Sequence, residues 1–357
     1  MHLRDAGFLL AFSTALLPLG AIALAKLGVP LDLAAWFPLG FIFGIVPWLD
    51  AVFGSETANP VSADENARRE RSAYFRALTL LVLPLWLATL GWCTWQCLHL
   101  PFGPAGLLGW TLSTGVIGGV LAINPAHELI HKTGRLEPLF GGVLLTSVGY
   151  QGFKVEHVRG HHLHVATPED SSSAQLGESV YAFVPRALWR NVRNAWRLEA
   201  RRLRGRGLPA WSWRNEMVAW YALWLLFIIV FAGLGGAHCL LFFLTQGVIA
   251  ACTLEVINYI EHYGLERRQL APDRYERVTH LHSWNAPQRY TNWLLFNLQR
   301  HSDHHAQARR RYQSLLHHPD SPQLPWGYAS MFVLALLPPV WHRVMDPLAL
   351  AQRRASA

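Results

Sequence analysis

Nine histidines fall in four short groups: His127 and His131 in "HELIH", His157, His161 and His162 in "HVRGHH", His262 in "NYIEHYG", and His301, His304 and His305 in "HSDHH". Neutral imidazole is the commonest metal ligand, so these groups point to metal chemistry. On a helix, residues three or four apart share a face. His127 is therefore expected to face with His131, His157 with His161, and His301 with His304 and His305. His162 is turned by about a third of a circle from His161 and would reach a second metal that His161 does not. Catalytic zinc takes three protein ligands, and nine imidazoles exceed the needs of even a six-coordinate ion. Two metals share them with positions left open for oxygen. Imidazole suits iron, copper and zinc alike, so ligand type does not name the metal.

Read alone, "HELIH" is the H-E-x-x-H pattern of a zinc peptidase, with Glu128 as base. That reading uses His127 and His131 and leaves seven clustered histidines without a role. The remaining histidines, such as His2, His164, His280, His282 and His318, are scattered singly or in pairs. Carboxylates accompany every group: Glu128, Glu156, Glu261 and Asp303. A metal-bound histidine normally gives its other N–H to a carboxylate or carbonyl, so these four are expected to support the ligands. Glu255 lies seven residues before His262, inside an apolar segment. An ionisable group there is a functional candidate, as support for the metals or as a ligand.

The elements that must position these groups are apolar. The chain has 357 residues, of which 52% are hydrophobic, with 16 Trp. A bilayer span needs roughly 20 mostly apolar residues. Six windows qualify or nearly do: Gly7–Ala25, Leu33–Leu49, Ala77–Leu98, Phe102–Ala126, Met217–Ala237 and Cys239–Leu254. The first, after "MHLRD", is expected to be a retained helix and not a cleaved signal, because a second apolar segment follows almost at once. The four cysteines all fall in these windows, without zinc-ribbon spacing. A metal transporter would carry ionisable residues along its spans, yet five of the six have essentially none in their cores.

With six spans, Lys26 is the only Lys or Arg in the loops 26–32, 99–101 and near 238. The positive-inside rule then puts both termini and all four histidine groups in the cytoplasm. The net charge of +8 gathers on that face and suits an acidic partner; no nucleic-acid motif is present. Residues 138–153 are apolar but join two histidine groups on one side, so they are expected to be re-entrant or interfacial. Residues 180–204 read as a basic amphipathic helix in the headgroup region, with Trp189 and Trp196 among arginines. Residues 328–341 read as an interfacial cap. The fold class expected is all-α integral membrane: six transmembrane helices, a cytoplasmic His-rich di-metal site and interfacial amphipathic helices.

The strings "HELIHK", "EHVRGHHLHVATPEDSSSA", "NYIEHYGLERR" and "LQRHSDHHAQARRRYQSL" resemble the signature boxes of the membrane alkane 1-monooxygenases. These belong to the wider fatty-acid desaturase-like membrane di-iron group. "PWLDAVFG", "HSWN" and "LPWGYASMFVLALLPPVWHRVMDP" extend the resemblance over most of the chain. It implies a single membrane domain, 1–357, with a desaturase-like di-iron core at about 102–325. It also implies two Fe ions held by His127, His131, His157, His161, His162, His262, His301, His304 and His305. The implied activity is O2-dependent terminal hydroxylation of medium- or long-chain n-alkanes to 1-alkanols in a bacterial inner membrane.

The implied donor is rubredoxin with its NAD(P)H-dependent reductase, here a separate chain because no fused rubredoxin follows "VMDP". An alkane has no polar handle, so selectivity calls for a narrow apolar tunnel entered from the bilayer. Ile42, Phe43 and Leu121 are its expected walls. A fatty-acyl desaturase or fatty-acid hydroxylase is the nearest rival; the "HYG" box favours the alkane reading.

Overall fold

The computed structural model describes residues 3–60, 62–272 and 274–356, and His2, with the first residues of "MHLRD", lies outside them. Five helices among the described residues are long and apolar enough to cross a membrane: α1 (Arg4–Lys26), α2 (Leu31–Phe53), the run Ala63–His99, α5 (Pro104–Ile130) and α9 (Glu216–His262). The third comprises a short polar helix, α3 (Ala63–Glu70), and the apolar α4 (Ala73–His99). Leu9, Leu16, Leu81, Trp95, Leu226, Ile229 and Val248 all point outward and exposed from these helices. Apolar side chains facing outward over that extent suit lipid, not water. The chain is a membrane protein.

Helix α9 runs for 47 residues, but Gly235 and Gly236 leave helical geometry, and Gly236 has φ 61°. An unbroken helix of that length would span about 70 Å, more than twice a hydrocarbon core of roughly 30 Å. Glycine reaches positive φ without a Cβ clash, so the pair breaks the helix at little steric cost. The break falls at the junction of the fifth and sixth apolar windows.

The segment expected to be re-entrant or interfacial, 138–153, overlaps α6 (Leu136–Ser147), twelve residues long. Twelve residues rise only about 18 Å, too little to cross. Gly142 lets α6 approach α9: a Cβ there would meet the Trp220 ring at 2.2 Å. Helix α7 (153–164) then carries the second histidine group. Helix α8 (Val180–Arg204) is amphipathic, as its arginine and tryptophan spacing predicts. Val180, Phe183, Ala187, Asn191, Ala195, Glu199 and Leu203 are buried at intervals of three or four, while Trp189 is exposed. Its N-cap is Ser179, whose hydroxyl accepts from the Ala182 amide.

After α9 come a two-stranded hairpin, β1 (Gln269–Ala271) with β2 (Arg274–Tyr275), and the short helices α10 (Arg289–Leu294) and α11 (His301–Ala306). The expected cap is α12 (Tyr328–Ala335) and the start of α13 (Pro338–Ser356). Tyr328, Met331, Trp341 and Met345 pack there on Tyr259 and Tyr263 at the end of α9.

Candidate metal centre

Four elements deliver the histidines. His127 and His131 lie at the end of α5, His157, His161 and His162 in α7, His262 ends α9, and the last three lie in α11. All nine converge, in two groups. One holds His127, His131, His157, His162 and His304; the other holds His161, His262, His301 and His305. Within each group one ligand nitrogen per residue lies within 4.8 Å of all the others.

The finer geometry fits a cation at each group. In the four-histidine group the Nε2 atoms stand 3.2 Å apart for His161 and His305, 3.0 Å for His305 and His301, and 3.2 Å for His301 and His262. In the five-histidine group the spacings are 3.1 Å for His157 and His162 and 3.2 Å for His162 and His304. Nitrogens bound at about 2.1 Å to one ion, at octahedral or tetrahedral angles, lie about 3.0–3.4 Å apart. Nε2 of both His127 and His131 is buried without a hydrogen-bond partner. Buried polar atoms are normally satisfied, so two unpartnered nitrogens among other imidazoles fit the donor set of a cation site.

The local backbone explains the partition. His157–His161 forms a π-helical turn, and the His162 amide donates to the His157 carbonyl five residues back. Such i→i+5 turns recur at functional sites. The turn brings His162 over His157. His161, expected on the same face as His157, joins the other group instead, although the two rings stack at 5.1 Å. Helix α11 divides likewise: His301 and His305 enter one group and His304 the other, against the expectation of a single face. His162 does reach a different group from His161, as its rotation implies.

Of the five expected supporting carboxylates, Glu261 alone contacts a clustered histidine. Its Oε2 is 3.1 Å from Nε2 of His301, among the converging nitrogens and not behind the ring. The Tyr328 hydroxyl donates to its other oxygen at 2.8 Å. Glu128 instead pairs with Lys132 at 2.8 Å, because the next position on the helix turns it away from His127 and the i+4 lysine takes it. Asp303 accepts from Arg310, His318 and the Leu316 amide. Glu156 accepts from Ser171, and Glu255 from Tyr150 and Asn258.

The support that the sequence did not reveal is Asp170. Its Oδ2 lies 2.9 Å from His161 Nδ1 and also accepts from the Ser173 hydroxyl at 2.6 Å. The only signal was its place in "ATPEDSSSA", in a loop whose register no periodicity sets. Arg186 and Arg190 of α8 hold that loop by its carbonyls at Ser173 and Glu169. Ser283 stands behind the same four-histidine group, its hydroxyl 3.3 Å from His262 Nδ1.

Electrostatics favour the ligand form. Burial first, then neighbouring imidazoles, push His131, His157, His162, His301, His304 and His305 well below the ordinary histidine value. They are therefore neutral at physiological pH, with a lone pair free for a metal. His161 moves the other way: burial lowers it, but Asp170 outweighs burial and raises it. Glu156 is pushed up to about 7, by burial and then by Asp170.

An apolar cleft opens beside the centre, with Ile42 and Phe43 in its wall. Asn124, one turn before His127, and Tyr328, which holds Glu261, also line it. Leu121 does not: it packs fully buried in the core that contains Trp86 and Ala250. A π-helical turn over Gly119–Ile123 presents Gly119 and Val120 to the cleft in its place.

Comparison with known proteins agrees with this architecture. The family model described as "Fatty acid desaturase" matches residues 101–335. Alkane 1-monooxygenase 2 of Pseudomonas aeruginosa is 53% identical over 87% of this chain and 83% of its own length. Alkane 1-monooxygenase 1 of the same organism is 52% identical over 86% and 80%. Alkane 1-monooxygenase 2 of Alcanivorax borkumensis is 47% identical over 94% and 88%. The chain belongs to the alkane 1-monooxygenases, within the fatty acid desaturase family.

Proposed function

We propose that this protein is a di-iron alkane 1-monooxygenase that converts medium- or long-chain n-alkanes and O2 to 1-alkanols. The observation that carries this reading is the convergence of nine imidazoles, in groups of five and four, beside an apolar cleft. His127, His131, His157, His162 and His304 would hold one iron, and His161, His262, His301 and His305 the other. Bound iron supplies activation of O2 and the oxidant that replaces a terminal C–H with C–OH.

The chain's own residues do the positioning. Asp170 fixes the His161 ring through Nδ1, leaving Nε2 for the metal. Glu261 adds a carboxylate on the ligand side of the four-histidine group and is itself held by Tyr328. Ile42 and Phe43 form an apolar wall against which an unfunctionalised chain packs end-on. Glu128, tied to Lys132, is not placed to serve as a peptidase base.

The break at Gly235–Gly236 supports reading α9 as two spans, hence six in all. The lysine and arginine distribution supports a bacterial inner-membrane orientation with both termini cytoplasmic. The exposed Arg193, Arg197, Arg201 and Arg204 of α8 support docking of an acidic rubredoxin, reduced by an NAD(P)H-dependent reductase. Reconstitution in lipid with rubredoxin, reductase and NADH tests this. The expected result is O2-dependent 1-alkanol formation that weakens as salt is raised. Unsaturated acyl products with no alkanol would favour the desaturase reading, and a flat salt response would remove the electrostatic dock.

A further inference from the structure

A third cluster lies outside the nine-histidine centre. His280, His318 and Asp320 each offer one ligand atom, all within 4.8 Å of one another. His280 Nε2 stands 2.7 Å from Asp320 Oδ2. The rings of His280 and His318 stack with centroids 4.6 Å apart and planes 9° from parallel. Unlike most of the nine, these three residues reach solvent: the histidines are half-buried and Asp320 is exposed.

A second observation points to a ligand. Nε2 of His318 is 2.9 Å from Oδ1 of Asp303, whose side chain is only 3% exposed. Donation of Nε2–H to that carboxylate fixes the tautomer and leaves Nδ1 with its lone pair. This carboxylate–histidine arrangement is the one that orients metal-bound imidazoles. The backbone is fixed as well: Ser321 Oγ and Gln323 Nε2 both donate to the His318 carbonyl, at 2.7 and 3.2 Å.

We propose that His280, His318 and Asp320 form a third metal site, distinct from the two histidine groups. Two imidazoles and one carboxylate suit a borderline transition ion, Zn2+ above all, with water completing the shell. Mg2+ and Ca2+ prefer all-oxygen sites and are excluded by the donor set. An ion here ties together two segments that back the four-histidine group. The stretch after His280 runs to Ser283, which reaches His262, and to Trp284, whose amide donates to the Glu261 carbonyl at 2.8 Å. His318 leans on Asp303 in the helix of His301 and His305.

The test is zinc binding by the purified full-length protein with its native metals, measured by equilibrium dialysis with metal analysis. It does not depend on the alkane reading, because the readout is metal count. Wild type is expected to take up one Zn2+ beyond its native metals without releasing them. His280→Ala and Asp320→Asn should each weaken that uptake at least about ten-fold, with native metal content unchanged. Zinc should also raise the unfolding temperature of wild type and leave that of His280→Ala unmoved. Equal zinc affinity in wild type and both variants would overturn the site. So would zinc that enters only as native metal leaves.

Discussion

The Nδ1 atom of His161 lies 2.9 Å from Oδ2 of Asp170, and both side chains are fully buried. The contact joins a helix ligand to a loop that α8 holds by its arginines. It also sets which ring nitrogen faces the four-histidine group. Asp170→Asn keeps the shape but removes the charge and allows the amide to donate, so the imidazole loses its preferred tautomer. Losing such a partner typically costs 10- to 100-fold in metal affinity or activity. The variant is expected to retain about one metal per chain, set by the five-histidine group, after mild chelation that wild type survives with both. Full retention of both metals would show that Asp170 does not govern His161.

Ile42 and Leu121, both expected as tunnel walls, separate in the structure, and the separation can be measured. Ile42 lines the cleft, so Ile42→Trp should shorten the longest n-alkane turned over. Leu121 packs in the core, so Leu121→Ala should leave the chain-length profile alone and cost about 2–5 kcal/mol of stability. Product profiles over an alkane series, with thermal unfolding of both variants, check this. A profile shifted by Leu121→Ala and untouched by Ile42→Trp would place the tunnel elsewhere.

Glu199 anchors α8 to the start of α9. Its carboxylate accepts from Arg202 at 2.9 and 2.8 Å, from the Glu216 amide at 3.0 Å, and from Arg159. Burial alone would raise its pKa, but the bonds from Arg202, the Glu216 amide and Arg159 outweigh burial and hold it at about 2. A carboxyl with a depressed folded pKa stabilises fully above its unfolded value, about 4.3, and loses that contribution as pH falls toward 2. Glu199→Gln should therefore lower stability at pH 7 by about 2 kcal/mol. The gap to wild type should narrow below about pH 4. Unfolding temperatures in detergent across that range would show it; a gap constant with pH would mean the charge is not what matters.

Counting histidines and apolar windows carried far because both signals are local. His127, His131 and the other seven could be gathered by type and by their place at the ends of apolar runs. The two halves of α9 were visible as separate windows although helical geometry nearly joins them. What stayed hidden depends on backbone detail or on loops. The π-helical turn at His157–His161 sends two histidines one turn apart to different groups, and ordinary helical spacing predicts the opposite. The turn at Gly119–Ile123 rotates Leu121 out of the cleft. Adjacency misled for Glu128 and Asp303, since a neighbour in sequence is turned about 100° away on a helix. Asp170 reaches His161 through a loop, where spacing carries no angular information.

Metal analysis of the purified protein tests the central claim most directly. Two groups of converging imidazoles, with five and four members, predict two Fe per chain in the active protein. One zinc per chain and no iron would contradict it.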